Sequence, residues 1–405
     1  MMLSPCWQYW FVALALVSGS ANALDITGRA AFFSSLHDAD VSDYGYLADE
    51  AITQAHQQSL RLMLAEHTNQ SEWQAHIKLR SRYQSVPVAT YGNAFRYQDL
   101  SDNVLNDCDA DGDHCYGLGY EVDRLLYQHQ FRHWTLTAGR QAIDWGAGRL
   151  WQPLNVFGAF APTDLDTDYK AGIDAVTAEW YPSAFSSLNG AYVLAPKGSG
   201  LNDSGAVYYR RQTGNLAELS LLGGSIVGNP VVGAAWESST DAGLGWRVEG
   251  TVFYRQDSDN TGLFAVAGID YQFPDSTLLV VEAYLNTEGA RLESDLDALS
   301  ENVLIRYGLA PQLGRQLLGL SLQRDITGLW RGSYTLLGAS LKDVQQSTRY
   351  SFLQQLAVTY SLSNESDLMM AYVYGSGKGL DASDNPQSEF GYLADAFNMR
   401  LRLYF

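Results

Sequence analysis

The sequence is poor in charge, and poorest in positive charge. Only 18% of its 405 residues are charged, whereas soluble domains average about 25%. The chain has 26 basic and 45 acidic residues, and the formal net charge is −19. A nucleic-acid-binding protein would show a basic stripe. That class is therefore excluded, and no nucleic-acid partner is expected.

Long apolar segments are also lacking. Residues 10–17 form one short apolar run, and no other run approaches the roughly 20 residues that a membrane-spanning helix needs. A helical membrane bundle is therefore excluded. Aromatic residues are abundant at 12%, with 25 Tyr and 10 Trp. This abundance argues against disorder, because disordered chains are poor in aromatics.

The N-terminus has the pattern of a secretory signal. The short apolar core precedes the small-residue site Ala21-Asn22-Ala23, which predicts cleavage after Ala23. No Lys or Arg precedes the core, so the usual basic segment is missing, and a buried N-terminal segment is the alternative. We expect residues 1–23 to be a cleaved signal peptide and residues 24–405 to form one domain.

Cysteine is scarce. The chain has three, of which Cys6 would leave with the signal. Cys108 and Cys115 remain in one Gly- and Asp-rich stretch. In an exported chain such a pair predicts a small disulfide that closes a loop.

The same stretch carries acidic residues at alternate positions, followed by a glycine, in the order that opens a calcium loop. The acidic residues are Asp107, Asp109, Asp111 and Asp113. The twelfth position of the loop is Leu118, so the usual bidentate Glu is absent. A weak calcium site and a solvated acidic loop both remain open, and no other cofactor is expected.

After residue 23 the dominant pattern is alternation with a period of two. In segments 73–83, 246–255 and 397–405, every second residue is apolar or small and most residues between are polar. Successive residues of a strand point to opposite faces, so each segment has one apolar and one polar surface. A soluble β-sandwich and a transmembrane β-barrel both produce this pattern.

Three features favour the barrel. The apolar segments run about 9–12 residues, the length that crosses a bilayer at a tilt, whereas strands of soluble proteins have a mode near 5–6. Aromatic residues cluster at segment ends, as at Trp134, Trp180 and Tyr271, where membrane barrels have aromatic girdles. Short and long connections alternate, as in barrels with short periplasmic turns and long external loops.

The segments predict an all-β, transmembrane, antiparallel up-and-down β-barrel of about 18 strands, which is wide enough for an aqueous channel. One pair of segments, 217–226 and 231–238, is open to a second interpretation, and without it the count is 16. Both counts are even, as single-chain bacterial barrels require.

The final strand, with apolar residues at every second position before Phe405, resembles the C-terminal strand of Gram-negative outer-membrane proteins. In that family the terminal aromatic residue is recognised by the barrel-assembly machinery. Residues 139–157, GRQAIDWGAGRLWQPLNVF, resemble a strand and loop of porin-like and alginate-export-porin families. The resemblance implies a location in the bacterial outer membrane, contact with lipid and lipopolysaccharide, and periplasmic chaperones as partners. Many porins are homotrimers, so a homotrimer is one expected assembly.

Lumen side chains would set the selectivity of such a channel. Alternation assigns two acidic residues to the lumen face, Glu249 and Glu282, and a larger basic set. The basic set is Lys78, Arg80, Arg82, Arg124, Arg140, Arg247, Arg255, Arg400 and Arg402. Ladders of Arg and Lys favour anions, so one hypothesis is an anion-selective wall. The other is that these charges pair with acidic loop residues and only keep the lumen polar.

Loop 146–174 is the candidate constriction. Its Trp151, Phe157 and Phe160 need burial that the lumen wall can provide. If the loop folds inward, its charged residues would face Arg140 and other wall charges. They are Arg149, Asp164, Asp166, Asp168, Lys170 and Asp174. An external loop packed on its neighbours is the alternative.

Enzyme activity is not expected. A barrel lipase needs a Ser/His pair on its lipid-facing wall, and a barrel protease needs carboxylates and a His at the rim. His129 falls on the apolar face, but the chain has no nucleophile motif of the G-x-S-x-G kind.

The sequence therefore predicts an outer-membrane, porin-like channel for passive diffusion of small hydrophilic or anionic solutes. Three alternatives remain: an export channel for an anionic polymer, a transporter of hydrophobic molecules, and a non-conducting surface-binding barrel. A basic pathway through the whole lumen would favour polymer export, whereas an apolar pocket in a plugged lumen would favour the transporter.

Overall fold

The computed structural model describes residues 24–46, 52–85, 105–108, 115–196, 199–214, 216–299, 302, 309 and 311–405. The predicted signal peptide and most of the predicted calcium loop lie outside these residues. No helix in the described part of the chain is both long enough and apolar enough to cross a membrane.

The described residues form nineteen β-strands. The first ten are β1 Asp25–Asp38, β2 Ile52–His67, β3 Ser71–Gln84, β4 Leu105–Cys108, β5 Cys115–Gln130, β6 Trp134–Gln141, β7 Ile173–Ser183, β8 Ser186–Val193, β9 Ser204–Thr213 and β10 Ala217–Ile226. The others are β11 Asn229–Ser239, β12 Leu244–Arg255, β13 Asn260–Gln272, β14 Leu278–Asn286, β15 Gln316–Asp325, β16 Trp330–Lys342, β17 Thr348–Ser363, β18 Ser366–Ser376 and β19 Asp395–Tyr404. A 3-10 turn, Glu293–Asp295, leads into the short helix α1, Leu296–Leu299.

The sheet closes on itself. Neighbouring strands in the chain pair antiparallel, and β1 also pairs with β19. The four-residue β4 pairs only with one end of β5, while β3 pairs with β5 over its whole length. The barrel wall therefore consists of the other eighteen strands. This confirms the prediction of an 18-stranded, up-and-down, antiparallel barrel.

The ambiguous pair of segments is a regular hairpin. β10 and β11 pair in continuous register from Ala217 and Ser238 to Ile226 and Asn229. The two turn residues between them have positive φ, 52° at Val227 and 83° at Gly228, as a tight two-residue hairpin turn requires. The 16-strand alternative is therefore wrong.

The outer face of the wall is apolar. On β12 the exposed side chains include Trp246, Val248 and Tyr254, and they alternate with buried residues. Aromatic residues lie at strand ends, where for example Trp134 and Trp180 stack with ring centroids 5.7 Å apart. Closure leaves no wall edge unpaired, and an apolar exterior with aromatic ends matches the surface that a membrane barrel presents to lipid.

The inner face differs between the two sides of the barrel. From β19 through β1 to β5 it is polar and charged. From β7 to β18 it mixes apolar side chains, such as Ala175, Leu337 and Leu353, with buried polar ones, such as Glu249 and Glu282. They lie against two inward-packed connections, residues 142–172 and the described part of residues 287–315. Alternation predicted a polar lumen face, and on that side the apolar residues of the inner face depart from it. There the inner face packs against protein, which apolar side chains suit, rather than against water.

Candidate constriction site

The connection between β6 and β7, residues 142–172, turns into the barrel; we call it the constriction loop. Its first part is held by Glu249 of β12. This carboxylate accepts the backbone N–H groups of Ala147 at 2.6 Å, Gly148 at 2.9 Å and Leu154 at 2.5 Å. Glu249 is fully buried. Three N–H donors to one carboxylate offset the cost of burying its charge.

A second buried carboxylate holds the next turn of the loop. Glu282 of β14 accepts the backbone N–H groups of Arg149 at 2.7 Å, Leu150 at 2.7 Å and Trp151 at 3.2 Å. Arg247 lies beside it, with a nitrogen 3.4 Å from the Glu282 carboxylate. The two wall carboxylates thus bind consecutive stretches of the same loop and position its tight turn.

The glycine of this turn cannot be replaced without strain. A Cβ on Gly148 would lie 1.7 Å from the carbonyl oxygen of Trp151. The loop therefore needs a residue without a side chain where its backbone folds back on itself.

The aromatic residues of the loop fill the apolar side of the lumen. Trp145 stacks on Tyr208 of β9 with centroids 5.1 Å apart and meets Phe157 edge-on at 5.2 Å. Trp151 packs against Tyr284 of β14 at 5.2 Å. The sequence predicted that Trp151 and Phe157 need burial against the lumen wall, and the structure buries both of them there.

The last part of the loop reaches the seam where β1 meets β19. Arg29 of β1 binds Asp166 and lies 2.8 Å from Asp168. Arg402 of β19 binds Asp168 at 2.5 Å, and Tyr404 also donates to Asp168. The loop is therefore tied to opposite sides of the lumen, at β12 and β14 and again at the seam.

A cavity of about 410 Å³ remains between the constriction loop and the polar side of the wall. Its charged lining is balanced, with four cationic and four carboxylate side chains: Arg29, Arg61, Lys78 and Arg400, and Glu121, Asp123, Asp164 and Asp166. The two hypotheses from the sequence, a basic wall and wall charges that pair with acidic loop residues, are thus each met in part. Basic residues line the lumen near the seam, and several of them pair with acidic residues.

The cations of the cavity form a row across three strands. Arg29 of β1 lies opposite Arg61 of β2, which lies opposite Lys78 of β3. Like charges in register repel. Arg61 binds Asp123 of β5, and the ring of Tyr169 lies over Arg61, 4.3 Å from ring centroid to guanidinium. The Asp123 carboxylate and the Tyr169 ring thus offset the repulsion between Arg61 and its cationic neighbours.

Two predicted lumen cations continue this row along β3. Arg80 and Arg82 occupy the next inward positions after Lys78. Their register neighbours on β5 are Gly119 and Gly117, which have no side chains. Three cationic side chains, Lys78, Arg80 and Arg82, therefore follow β3 toward the cavity, and we call them the lane.

Sequence reasoning missed several cavity residues. Arg29, Arg61, Asp123 and Tyr169 were not predicted. Arg61 had a readable signal, since it alternates with the exposed Leu60 and Leu62 on β2. Asp123 had none, because it and the next residue both oppose His76 at a bulge in the ladder, which interrupts the alternation.

Three predicted lumen residues occupy other places. Arg247 and Glu249 face inward but are buried under the constriction loop rather than lining the cavity. Arg140 pairs with Asp174 at 2.7 Å, and its register places it opposite the exposed Leu125. Arg140 is therefore on the outer face, and its prediction as a lumen residue is wrong. Gly139, with φ of 114°, directly precedes it.

Three further predicted residues are placed as follows. Arg149 is exposed, and its backbone rather than its side chain anchors the loop. Lys170 binds Asp144 of the same loop at 2.7 Å. Arg400 donates to the carbonyl of Leu165 and lines the cavity. These contacts stabilise the loop as well as charging the lumen.

The predicted disulfide and calcium loop lie at the edge of the described residues. Cys115 is disulfide-bonded, and its register partner on β4 is Cys108. Asp107 lies on β4, while Asp109, Asp111 and Asp113 lie outside the described residues. No group of metal-binding side chains occurs within the described residues.

Phe405 extends the seam. It exchanges backbone hydrogen bonds with Gly28 of β1, at 2.7 and 3.0 Å. A Cβ on Gly28 would lie 2.3 Å from the Phe405 ring, so the ring covers this glycine. Its role as a signal for barrel assembly stays a prediction.

A Ser/His pair occurs on the outer face near a turn. The Ser71 hydroxyl lies 2.7 Å from His129 Nδ1, and Tyr127 donates to Ser71 at 3.0 Å. A hydrolytic triad also needs a group that orients the imidazole. Within the described residues no carboxylate binds His129, so the pair lacks that group.

Neither a family model nor a curated protein matches the chain, but solved structures do. OccAB4 of Acinetobacter baumannii matches with a TM-score of 0.61 at 8% identity, over 94% of this chain and 98% of that chain. OccK9 (OpdG) of Pseudomonas aeruginosa matches with a TM-score of 0.59 at 9% identity, over 95% and 98%. OpdK of Pseudomonas aeruginosa, solved with vanillate, matches with a TM-score of 0.57 at 8% identity, over 94% and 98%.

At these identities the likeness shows the fold, which is that of the outer-membrane porins. The closed wall and the apolar exterior agree with it. The predicted porin-like β-barrel fold is thereby confirmed, and a location in the bacterial outer membrane stays a prediction.

Proposed function

We propose that this outer-membrane barrel is a passive channel for small hydrophilic solutes and that it favours anionic ones. The observation that carries the proposal is the cavity between the constriction loop and the seam. It lies on the polar side of the lumen, and the lane formed by Arg82, Arg80 and Lys78 leads to it. OpdK, a fold neighbour, was solved with vanillate, a small carboxylate.

Diffusion and electrostatics suffice for the mechanism. A solute enters the polar side of the lumen, because the other side is filled by apolar side chains of the loops and wall. Cationic side chains along β3 raise the local concentration of anions. In the cavity, carboxylates on the loop and on β5 oppose the cations, so a solute there experiences a transverse field. The proposal includes no enzymatic step and no cofactor.

The geometry favours this function over the alternatives. A polymer-export channel would need basic residues along the whole lumen, whereas the cations of the cavity lie on β1, β2, β3 and β19 and the lumen beside β7 to β18 is packed with loop side chains. A transporter of hydrophobic molecules would need an apolar pocket, whereas the cavity lining holds eight charged residues. A non-conducting surface-binding barrel would show no current, which the experiment below detects.

The double variant Arg80→Gln with Arg82→Gln is expected to reduce anion preference. Each charge near the path changes the energy of a monovalent ion by about 1 kcal/mol at moderate screening, which is roughly fivefold in its local concentration. Reversal potentials in planar bilayers under a salt gradient measure the effect, which should shrink in 1 M salt.

The matched control is Arg140→Gln, which removes the same charge from the outer face. It should leave the reversal potential as in the parent protein. Cation preference in the parent would overturn the anionic part of the proposal and keep the channel. Absence of current from correctly folded barrels would overturn the channel itself.

A further inference from the structure

Glu389, in the connection between β18 and β19, is a buried carboxylate with no cationic partner among the described residues. Only 4% of it is exposed. Its two oxygens accept the backbone N–H groups of Leu313 at 3.0 Å and Gly314 at 2.6 Å. These residues belong to the connection between β14 and β15. Glu389 therefore joins two loops at the external end of the barrel.

The charged and titratable groups around this contact are engaged elsewhere. Lys378, of the same loop as Glu389, binds Glu293 at 2.7 Å. Arg315, next to Gly314, donates to a backbone carbonyl at 3.1 Å. Tyr284 of β14 donates to another at 3.4 Å. In the described part of the chain, Glu389 is thus compensated by two backbone dipoles and not by a charge.

The joined loops rest on the constriction loop. Phe390, which follows Glu389, lies in the same buried cluster as Leu150 and Trp151 of the constriction loop. Leu313 lies in the cluster that contains Trp145. The contact at Glu389 therefore joins two loops that both pack against the constriction loop, and the ion pair between Lys378 and Glu293 is a second link between them.

We propose that Glu389 is a pH-responsive latch between the two external loops, which is firm at acidic pH and weakens as the pH rises. Burial raises the pKa of Glu389 from 4.5 to about 7, against the smaller opposite effect of its two N–H donors. In the opened, hydrated state the group would regain its ordinary pKa.

The direction of the pH dependence follows from proton linkage. A carboxyl group with a higher pKa in the closed state binds its proton more tightly there, so protonation stabilises that state. This stabilisation is complete below the ordinary pKa near 4.5 and is lost as the pH rises to about 7. The latch is therefore firmer at pH 5 than at pH 8.

Hydrogen exchange of the two loops in lipid nanodiscs tests the latch. After correction for intrinsic exchange rates, the opening equilibrium in the parent protein should rise roughly 100-fold between pH 5 and pH 8. Glu389→Gln is neutral at every pH and should lose this dependence. Asp384→Asn, which removes an exposed carboxylate from the same loop, should keep it.

An infrared titration of the parent protein is a second measurement. It uses no variant, so misfolding of a variant cannot affect it. It should show a buried protonated carboxyl group that loses its proton near pH 7. Equal pH dependence in the parent and in Glu389→Gln would overturn the proposal, as would loops whose exchange does not respond to pH. Neither measurement requires the barrel to conduct, so a failure of the latch is distinct from a failure of the proposed channel.

Discussion

Removal of both anchoring carboxylates, in the variant Glu249→Ala with Glu282→Ala, is expected to raise the single-channel conductance several-fold. Each carboxylate accepts three backbone N–H groups of the constriction loop. A buried N–H group left without an acceptor costs about 1–3 kcal/mol. With all six donors left without these acceptors, the inward position of the loop loses its main polar support, and the lumen widens.

Planar-bilayer recordings measure this effect. The barrel wall keeps its own backbone ladder in the variant, so folding can be verified independently by the heat-dependent gel mobility typical of barrels. The control Glu365→Ala removes an exposed carboxylate from the turn between β17 and β18 and should leave the conductance unchanged. An unchanged conductance in the folded double variant would show that the loop does not limit the current.

Neutralising the loop carboxylates at the seam, with Asp166→Asn and Asp168→Asn, is expected to increase anion preference. These aspartates bind Arg29 and Arg402, so their loss leaves cations of the lumen wall uncompensated. Each removed charge changes the energy of a nearby monovalent ion by about 1 kcal/mol, which amounts to roughly a tenfold or larger shift in selectivity for the pair.

The reversal potential under a salt gradient is again the measurement, and Asn keeps the size of the replaced side chain. Asp384→Asn is the control, because it removes an exposed carboxylate of another loop that does not line the cavity. A shift toward cations in the double variant would contradict the assigned positions of these charges. So would equal shifts in the double variant and the control.

The two variants act on different ends of one loop, and their expected effects differ accordingly. The glutamates at β12 and β14 are buried and hold the backbone, so their removal changes the width of the path. The aspartates at the seam lie near the cavity and balance arginines, so their removal changes its potential. Conductance and selectivity therefore separate the two roles.

The barrel could be predicted from sequence because the pattern of each strand lies within one short segment of the chain. Alternation places Trp246, Val248 and Tyr254 on one face of β12 whatever the rest of the chain does, and this face is the exposed one. The eighteen wall strands, the external loops and the seam strand that ends at Phe405 follow from such segments. The ladder bulge interrupts the alternation, and Asp123 was therefore missed. Arg140 obeys the alternation, since it has the parity of the exposed Trp134 and Leu136, and its assignment to the lumen was wrong.

The sequence by itself thus determined the strands, their outer face and the class of fold, since neighbouring residues of a strand must point to opposite sides. Only the tertiary structure decided what fills the barrel. Glu282 meets the backbone of Arg149 at a separation of 133 residues, and Arg29 meets Asp166 at 137. Closure of the wall creates these contacts, because it brings distant strands to face one loop across the lumen. Alternation carries no information about which side of the lumen that loop fills and which side it leaves open.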